Sequence, residues 1–191
     1  MHRLATSLAV LALAAPFAVA QSSTWNVDPA HSSVDFTVKH LSLSNVHGHF
    51  GGIKGSITLN ESDITKSTVS VTIDTTTIDT GVQMRDNDLK SANYFDVGQF
   101  PTASFTSTSV SGSTGHLTVN GNLTLHGVTK PVTLEVEGPN GPITGMDKKP
   151  HAGYSATTTL NRKDFGVGAK TPDNMVSDEI KLTIDLDVAK Q

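Results

Sequence analysis

The side chains with the widest chemical range in this sequence are its histidines. His40 closes the run Val34-Asp35-Phe36-Thr37-Val38-Lys39-His40, and His47 and His49 follow as a His-x-His pair. Two residues at that spacing share one face of a strand, and a third imidazole beside them would make a zinc or copper site. No cysteine, nearby carboxylate cluster or His-Glu-x-x-His pattern reinforces it. Histidines so placed commonly serve as hydrogen-bonded or exposed polar residues. A histidine-based metal-binding protein or enzyme therefore stands as an alternative, with no metal assigned.

Arg85-Asp86 is the second candidate. The guanidinium could grip a head group through bidentate contacts. The competing reading is an internal ion pair that anchors its segment, with Asp96 or Asp164 as partner, and Arg162 is read the same way. Catalytic patterns are missing: there is no Gly-x-Ser-x-Gly elbow, no Gly-x-x-x-x-Gly-Lys loop and no cysteine nucleophile. No enzyme is expected, and no catalytic residue is assigned.

The elements that must position these groups are strands. Val34, Phe36 and Val38 alternate with polar residues, as do Ile53, Ile57 and Leu59, and Val69, Val71 and Ile73. Leu117, Val119, Gly121, Leu123 and Leu125 form the strongest run, followed by Val132, Leu134 and Val136, then Tyr154 to Leu160, then Ile180 to Val188. Period-two alternation with one apolar face is the mark of half-buried antiparallel strands. Gly51-Gly52, Ser111-Gly112, Gly127, Pro139-Asn140-Gly141-Pro142 and Lys149-Pro150 punctuate them. Only residues 83–95, where Met84, Leu89 and Phe95 break the alternation, read as short helical turns. So many amphipathic strands close either as a two-sheet sandwich or as a barrel. The last run would extend roughly 30 Å at about 3.3 Å per residue, a length that suits a barrel.

Composition narrows the class. The chain has 191 residues, no cysteine and a formal net charge of -4. Residues 1–20 read as a secretory signal peptide: Arg3, an apolar run from Leu8 to Ala15, and Ala18-Val19-Ala20 before a cleavage at Gln21. Residues 21–191 then form one domain carrying 13 basic against 18 acidic residues, which argues against nucleic acid and anionic membrane surfaces as partners. In that stretch 42 Ser and Thr stand beside 41 Leu, Ile, Val and Phe, enough for one apolar face on many strands but not for several apolar layers. Periplasmic or secreted localisation is expected, without stable membrane insertion.

The words on these strands fall into a known order. Trp25-Asn26-Val27-Asp28-Pro29-Ala30-His31-Ser32 with Phe36-Thr37-Val38-Lys39-His40, then Val46-His47-Gly48-His49-Phe50, resemble the opening segments of the YceI family. Ile78-Asp79-Thr80-Gly81, Arg85-Asp86, Leu89-Lys90-Ser91 and Tyr94-Phe95-Asp96 are similar to its most recognisable stretch, and Phe100-Pro101 with Phe105 fit the next strand. Residues 121–132, GNLTLHGVTKPV, resemble the family most closely, and Asn161-Arg162-Lys163-Asp164-Phe165-Gly166 and Asp178-Glu179-Ile180 complete the order. The chain departs at Asp88, where the family often has His, and at Asn93, where it often has Asp.

The resemblance implies an extended eight-stranded, antiparallel, lipocalin-like β-barrel of the all-β class, holding a long isoprenoid, quinone or similar lipid in its lumen. The residues expected at that ligand are Phe36, Val38, His40, Val71, Ile73, Met84, Arg85, Phe105, Leu117, Val119, Leu123 and Leu125. His31 and His126 match family positions and are expected to hydrogen-bond at strand ends. No cofactor is expected, and the oligomeric state is left open between monomer and homodimer. A barrel packed solid, acting as an interaction module in envelope stress, is the third reading.

Overall fold

A computed structural model describes residues 21–191; the signal peptide expected over residues 1–20 lies outside them. Each alternating run becomes a strand. In chain order these are β1 (Ser22–Val27), β2 (Ser33–His40), β3 (Ser44–Phe50), β4 (Lys54–Asn60), β5 (Thr68–Asp74), β6 (Thr102–Ser113), β7 (Gly115–Leu125), β8 (Val128–Thr144), β9 (Pro150–Asn161) and β10 (Val176–Lys190). One α-helix, α1 (Gln83–Lys90), lies between β5 and β6. All pairings between named strands are antiparallel, and the order β1-β4-β5-β6-β7-β8-β9-β10 closes when β10 returns to β1 through Trp25 opposite Lys190 and Val27 opposite Val188.

Ten segments make an eight-stranded barrel because two strands are broken. β10 pairs with β1 near its end and with β2 from Ile180 opposite Val38 to Asp185 opposite Ser33, so β1 and β2 are halves of one strand interrupted at Asp28-Pro29. β3 and β4 are likewise halves of the next strand, interrupted at Gly51-Gly52, where Gly52 takes a left-handed φ of 64°. β4 continues the wall onto β5, whereas β3 touches the rest of that side through a single bridge between His49 and Asp79. Residues 75–101, including α1, cover the side that a longer β5 would have closed.

The helical reading over residues 83–95 resolves into the two turns of α1 and a series of hydrogen-bonded turns after it. Val82, at the N-cap, offers no side-chain cap. The segment is held instead by buried Asp86, whose carboxylate accepts the Thr80 N–H at 3.0 Å. Beyond the helix, Phe95 stacks edge-on against Phe50, with ring centroids 5.3 Å apart, and draws the segment onto the barrel end.

Inward faces are apolar and outward faces carry hydroxyls and amides. Trp25, Val34, Ile57, Phe105, Leu117, Val119 and Val188 are buried. Outside, Thr133 donates to Asn120 at 2.7 Å, Thr118 to Glu135 at 3.0 Å, and Thr124 meets Thr129 at 2.8 Å. This is the reverse of a lipid-facing barrel, which presents its apolar band outward. Gly121 completes one inward stripe without a side chain: a Cβ there would sit 2.3 Å from the Phe105 ring and 2.6 Å from the Thr106 carbonyl, so glycine lets the ring lie across β7.

Candidate functional site

Val, Ile and Leu side chains reach only part of the way to the barrel axis, and a cavity remains. It has two adjoining lobes, of about 1060 and 890 Å³ including their openings. Val34, Ile73, Leu123, Leu160 and Leu182 line both. Val71, Phe105, Leu117 and Val119 belong to the first lobe, and Phe36, Val38 and Leu125 to the second.

Most polar groups in the walls are already engaged, the Tyr154 hydroxyl excepted. Ser67 Oγ accepts the Asn60 N–H at 3.1 Å, Thr75 donates to the Phe100 carbonyl at 2.7 Å, and Thr158 to the Thr133 carbonyl at 2.8 Å. Thr171 donates to the Tyr94 hydroxyl at 3.1 Å. Burial pushes the Tyr154 hydroxyl above its ordinary pKa. No buried polar side-chain atom among the described residues lacks a partner. Water in such a space finds few groups to bond, whereas an apolar chain loses nothing by entering.

A smaller opening adjoins the second lobe, bounded by His40 and Val46 on one side and by Thr80, Arg85 and Asp88 on the other; Phe36, Val38, Leu89, Tyr94 and Val176 line both spaces. His40 and Arg85 therefore stand at the mouth rather than within the lumen. Arg85 donates through Nε to Thr80 Oγ1 at 2.7 Å and through Nη2 to the Thr80 carbonyl at 2.9 Å. It forms no ion pair with Asp96 or Asp164, contrary to expectation, because the loop of Thr80 wraps its guanidinium first. Met84 departs from the expected set: it is 83% exposed and lines none of these spaces, because it lies on the outer side of α1 from Leu89.

Arg162 does anchor structure, with a partner other than those expected. It is buried, pairs with Asp178 at 2.8 Å, and donates to the carbonyls of Val167, Gly168, Thr171, Val176 and Ser177. One guanidinium thus fastens the 166–175 loop to the start of β10. The Tyr94, Phe95 and Leu160 contributions to the lumen were missed in the sequence. Leu160 lay within a recognised alternating run, but nothing in the chain signals that a turn after α1 folds inward.

The histidines divide. His47 lies outside the barrel, 3.0 Å from Thr37 Oγ1, and His49 holds the backbone bridge to Asp79. His126 Nδ1 lies 3.2 Å from the Phe165 carbonyl, and His31 Nδ1 2.8 Å from Asp28 Oδ2, both at strand ends as expected. His151, which the sequence did not single out, sits between Asp187 at 2.7 Å and Asp147 at 3.1 Å. Among the described residues the one cluster of three potential metal-ligating side chains is Asp28, His151 and Asp187, which excludes His40, His47 and His49.

The sequence profile of the YceI-like domain matches residues 25–188. The chain belongs to the YceI-like family. Protein YceI of Salmonella newport is 36% identical over 189 residues, covering 97% of this chain and 95% of that one, and a UPF0312 protein of Vibrio vulnificus is 38% identical over 171 residues, covering 86% and 87%. The Campylobacter jejuni YCEI crystal structure superposes with a TM-score of 0.72 at 29% identity, covering 80% of this chain and 90% of that one. Burkholderia cenocepacia BcnA gives 0.74 at 23% identity over 84% and 98%. A polyisoprenoid binding domain from Saccharophagus degradans, implicated in plant cell wall breakdown, gives 0.64 at 15% identity over 87% and 98%. These solved structures share the overall barrel fold of this chain.

Proposed function

We propose that this YceI-like barrel is an exported carrier or sequestering protein for a long apolar lipid such as a polyisoprenoid or quinone, held in the lumen without chemical change. The carrying observation is a two-lobed cavity whose walls are predominantly apolar side chains and whose polar groups, the Tyr154 hydroxyl apart, are engaged within the protein. At about 25 cal/mol per Å² of apolar surface removed from water, an enclosed chain gains enough to offset the entropy of association. The Saccharophagus degradans domain, named for polyisoprenoid binding, supports the reading, as does the export signal read in residues 1–20. Export would place the carrier in the periplasm or outside the cell.

Organic extraction and native mass spectrometry of purified protein, with elemental analysis alongside, test this. A stoichiometric apolar molecule is expected, together with its loss in Leu123→Trp, which projects an indole into both lobes while leaving the outer face unchanged. Failure of the wild type to retain an extracted lipid or bind an added polyprenol overturns the carrier. Stoichiometric metal lost on His47→Ala or His49→Ala would overturn it in favour of the histidine reading.

A further inference from the structure

The large apolar side chains left in solvent are not scattered. Among the described residues they are Leu41, Leu43, Val82, Met84, Met175, Ile143 and Met146. The first five gather at the barrel end where the second lobe opens. Leu41 and Leu43 form the turn between β2 and β3, and the Leu41 N–H bonds the Met175 carbonyl at 2.9 Å, which puts the 166–175 loop beside that turn. Val82, the N-cap of α1, and Met84 come just before Arg85, which lies across the mouth from His40 and Val46. Leu43 and Met84 are 82% and 83% exposed.

Two further observations mark this end as built for contact. Leu41 and Ser42 both have left-handed φ, 53° and 57°, in a turn that Asn-Gly would form without strain. A leucine held there costs about 1–2 kcal/mol in its backbone and is not repaid by burial. The mouth also lies beside an open stretch of barrel wall, Ser44 to Gly48 of β3, which pairs with β2 alone and from which Val46 lines the mouth. An open stretch of wall and most of the exposed large apolar side chains thus meet at the same end of the barrel.

We propose that this rim docks onto the surface of a lipid bilayer, inserting Leu43, Met84 and their neighbours among the lipids so that an apolar chain passes between membrane and lumen without crossing water. The proposal rests on the carrier reading above. A bilayer is the partner that fits, because it is the reservoir of such chains and because Leu41, Met84 and Met175 each stand next in the chain to a residue lining the mouth, His40, Arg85 and Val176. No helix among the described residues is long and apolar enough to cross a membrane, and the strand exteriors are polar, so the contact is peripheral. With 13 basic against 18 acidic residues in 21–191, apolar insertion rather than attraction to anionic head groups drives it.

Flotation of the full exported chain with phosphatidylcholine vesicles tests docking, and transfer of a fluorescent polyprenol between two vesicle populations tests its use. The Leu43→Ser/Met84→Ser variant is expected to lose about tenfold or more in vesicle partitioning, the loss of two buried apolar side chains, and to slow transfer correspondingly. Loading of the same polyprenol from a dilute solvent stock should stay unchanged. Ile143→Ser/Met146→Ser, at the opposite end, should match wild type in both assays. Docking is overturned if wild type does not float, if the rim variant floats as well as wild type, or if sedimentation shows that the rim instead joins two copies of the chain. Failure to load polyprenol in solution, with flotation intact, would overturn the carrier reading alone.

Discussion

His151 shows what single residues contribute at the end of the barrel away from the mouth. A hydrogen bond to Asp187, and a further one to Asp147, raise its pKa; His31 is raised by Asp28 in the same way. Asp28 is lowered chiefly by its hydrogen bond to His31, and Asp147 by the Lys149 N–H. For the imidazoles the folded pKa lies above the ordinary 6.5, so their contribution is complete below that value and fades as pH rises through the raised one. For the carboxylates the folded pKa lies below 3.8, so their contribution is complete above it and fades on acidification. Both hold between about pH 4 and 6.5. Thermal melts of wild type and His151→Ala should differ most in that window and converge as pH rises into the alkaline range. A difference that does not change with pH would refute the linkage. The hydrogen bond of His31 is foreshadowed in the sequence, but the surroundings of His151 are not, because Asp187 reaches it only through the pairing of β9 with β10 and Asp28 only through closure of β1 on β10. The arginine partners were hidden for the same reason: a guanidinium takes whichever acceptors the fold delivers.

At the level of elements, legibility followed the demand for an apolar face. β7 and β10 were plain in the sequence because every second residue must enter the lumen, and a one-residue slip would turn the whole set outward. The breaks that divide β1 from β2 and β3 from β4 were not, since Asp28-Pro29 and Gly51-Gly52 read equally well as ends of separate strands. Met84 was misplaced because a short helix of mostly polar residues gives periodicity little to work with. The β2–β3 turn carries its own prediction. Replacing Leu41 with Asn, which tolerates left-handed φ, should raise stability to denaturant by about 1 kcal/mol, while weakening vesicle partitioning. A variant both more stable and worse at docking would show strain retained for contact, whereas a loss of stability would show that Leu41 packs usefully where it is.

For the molecule as a whole, the near equality of hydroxylated and aliphatic residues is the composition of a wall one layer thick. The aliphatic half faces a space it does not fill, and the hydroxyl half faces water. Closure through β1 and β10 removes most of the edges on which such a sheet would otherwise aggregate. Fold and lumen were therefore readable from alternation and the family resemblance together, while the width of the lumen was not, because it depends on how far side chains of given lengths reach across a barrel of given strand tilt.

That unfilled space has a mechanical consequence. Unfolding under hydrostatic pressure is driven by elimination of internal voids, with volume changes of about -20 to -100 mL/mol for ordinary domains. A barrel whose side chains leave two adjoining lobes of its lumen unfilled should lie toward the larger end of that range. A guest in the lumen replaces void with matter. High-pressure fluorescence of Trp25, buried in the barrel wall, should show delipidated protein unfolding at markedly lower pressure than lipid-loaded protein, with Leu123→Trp intermediate even without lipid. Equal midpoints for the loaded and delipidated forms would mean that the walls collapse inward when the chain leaves. Compressibility thus offers a measure of occupancy that needs no knowledge of which lipid is carried.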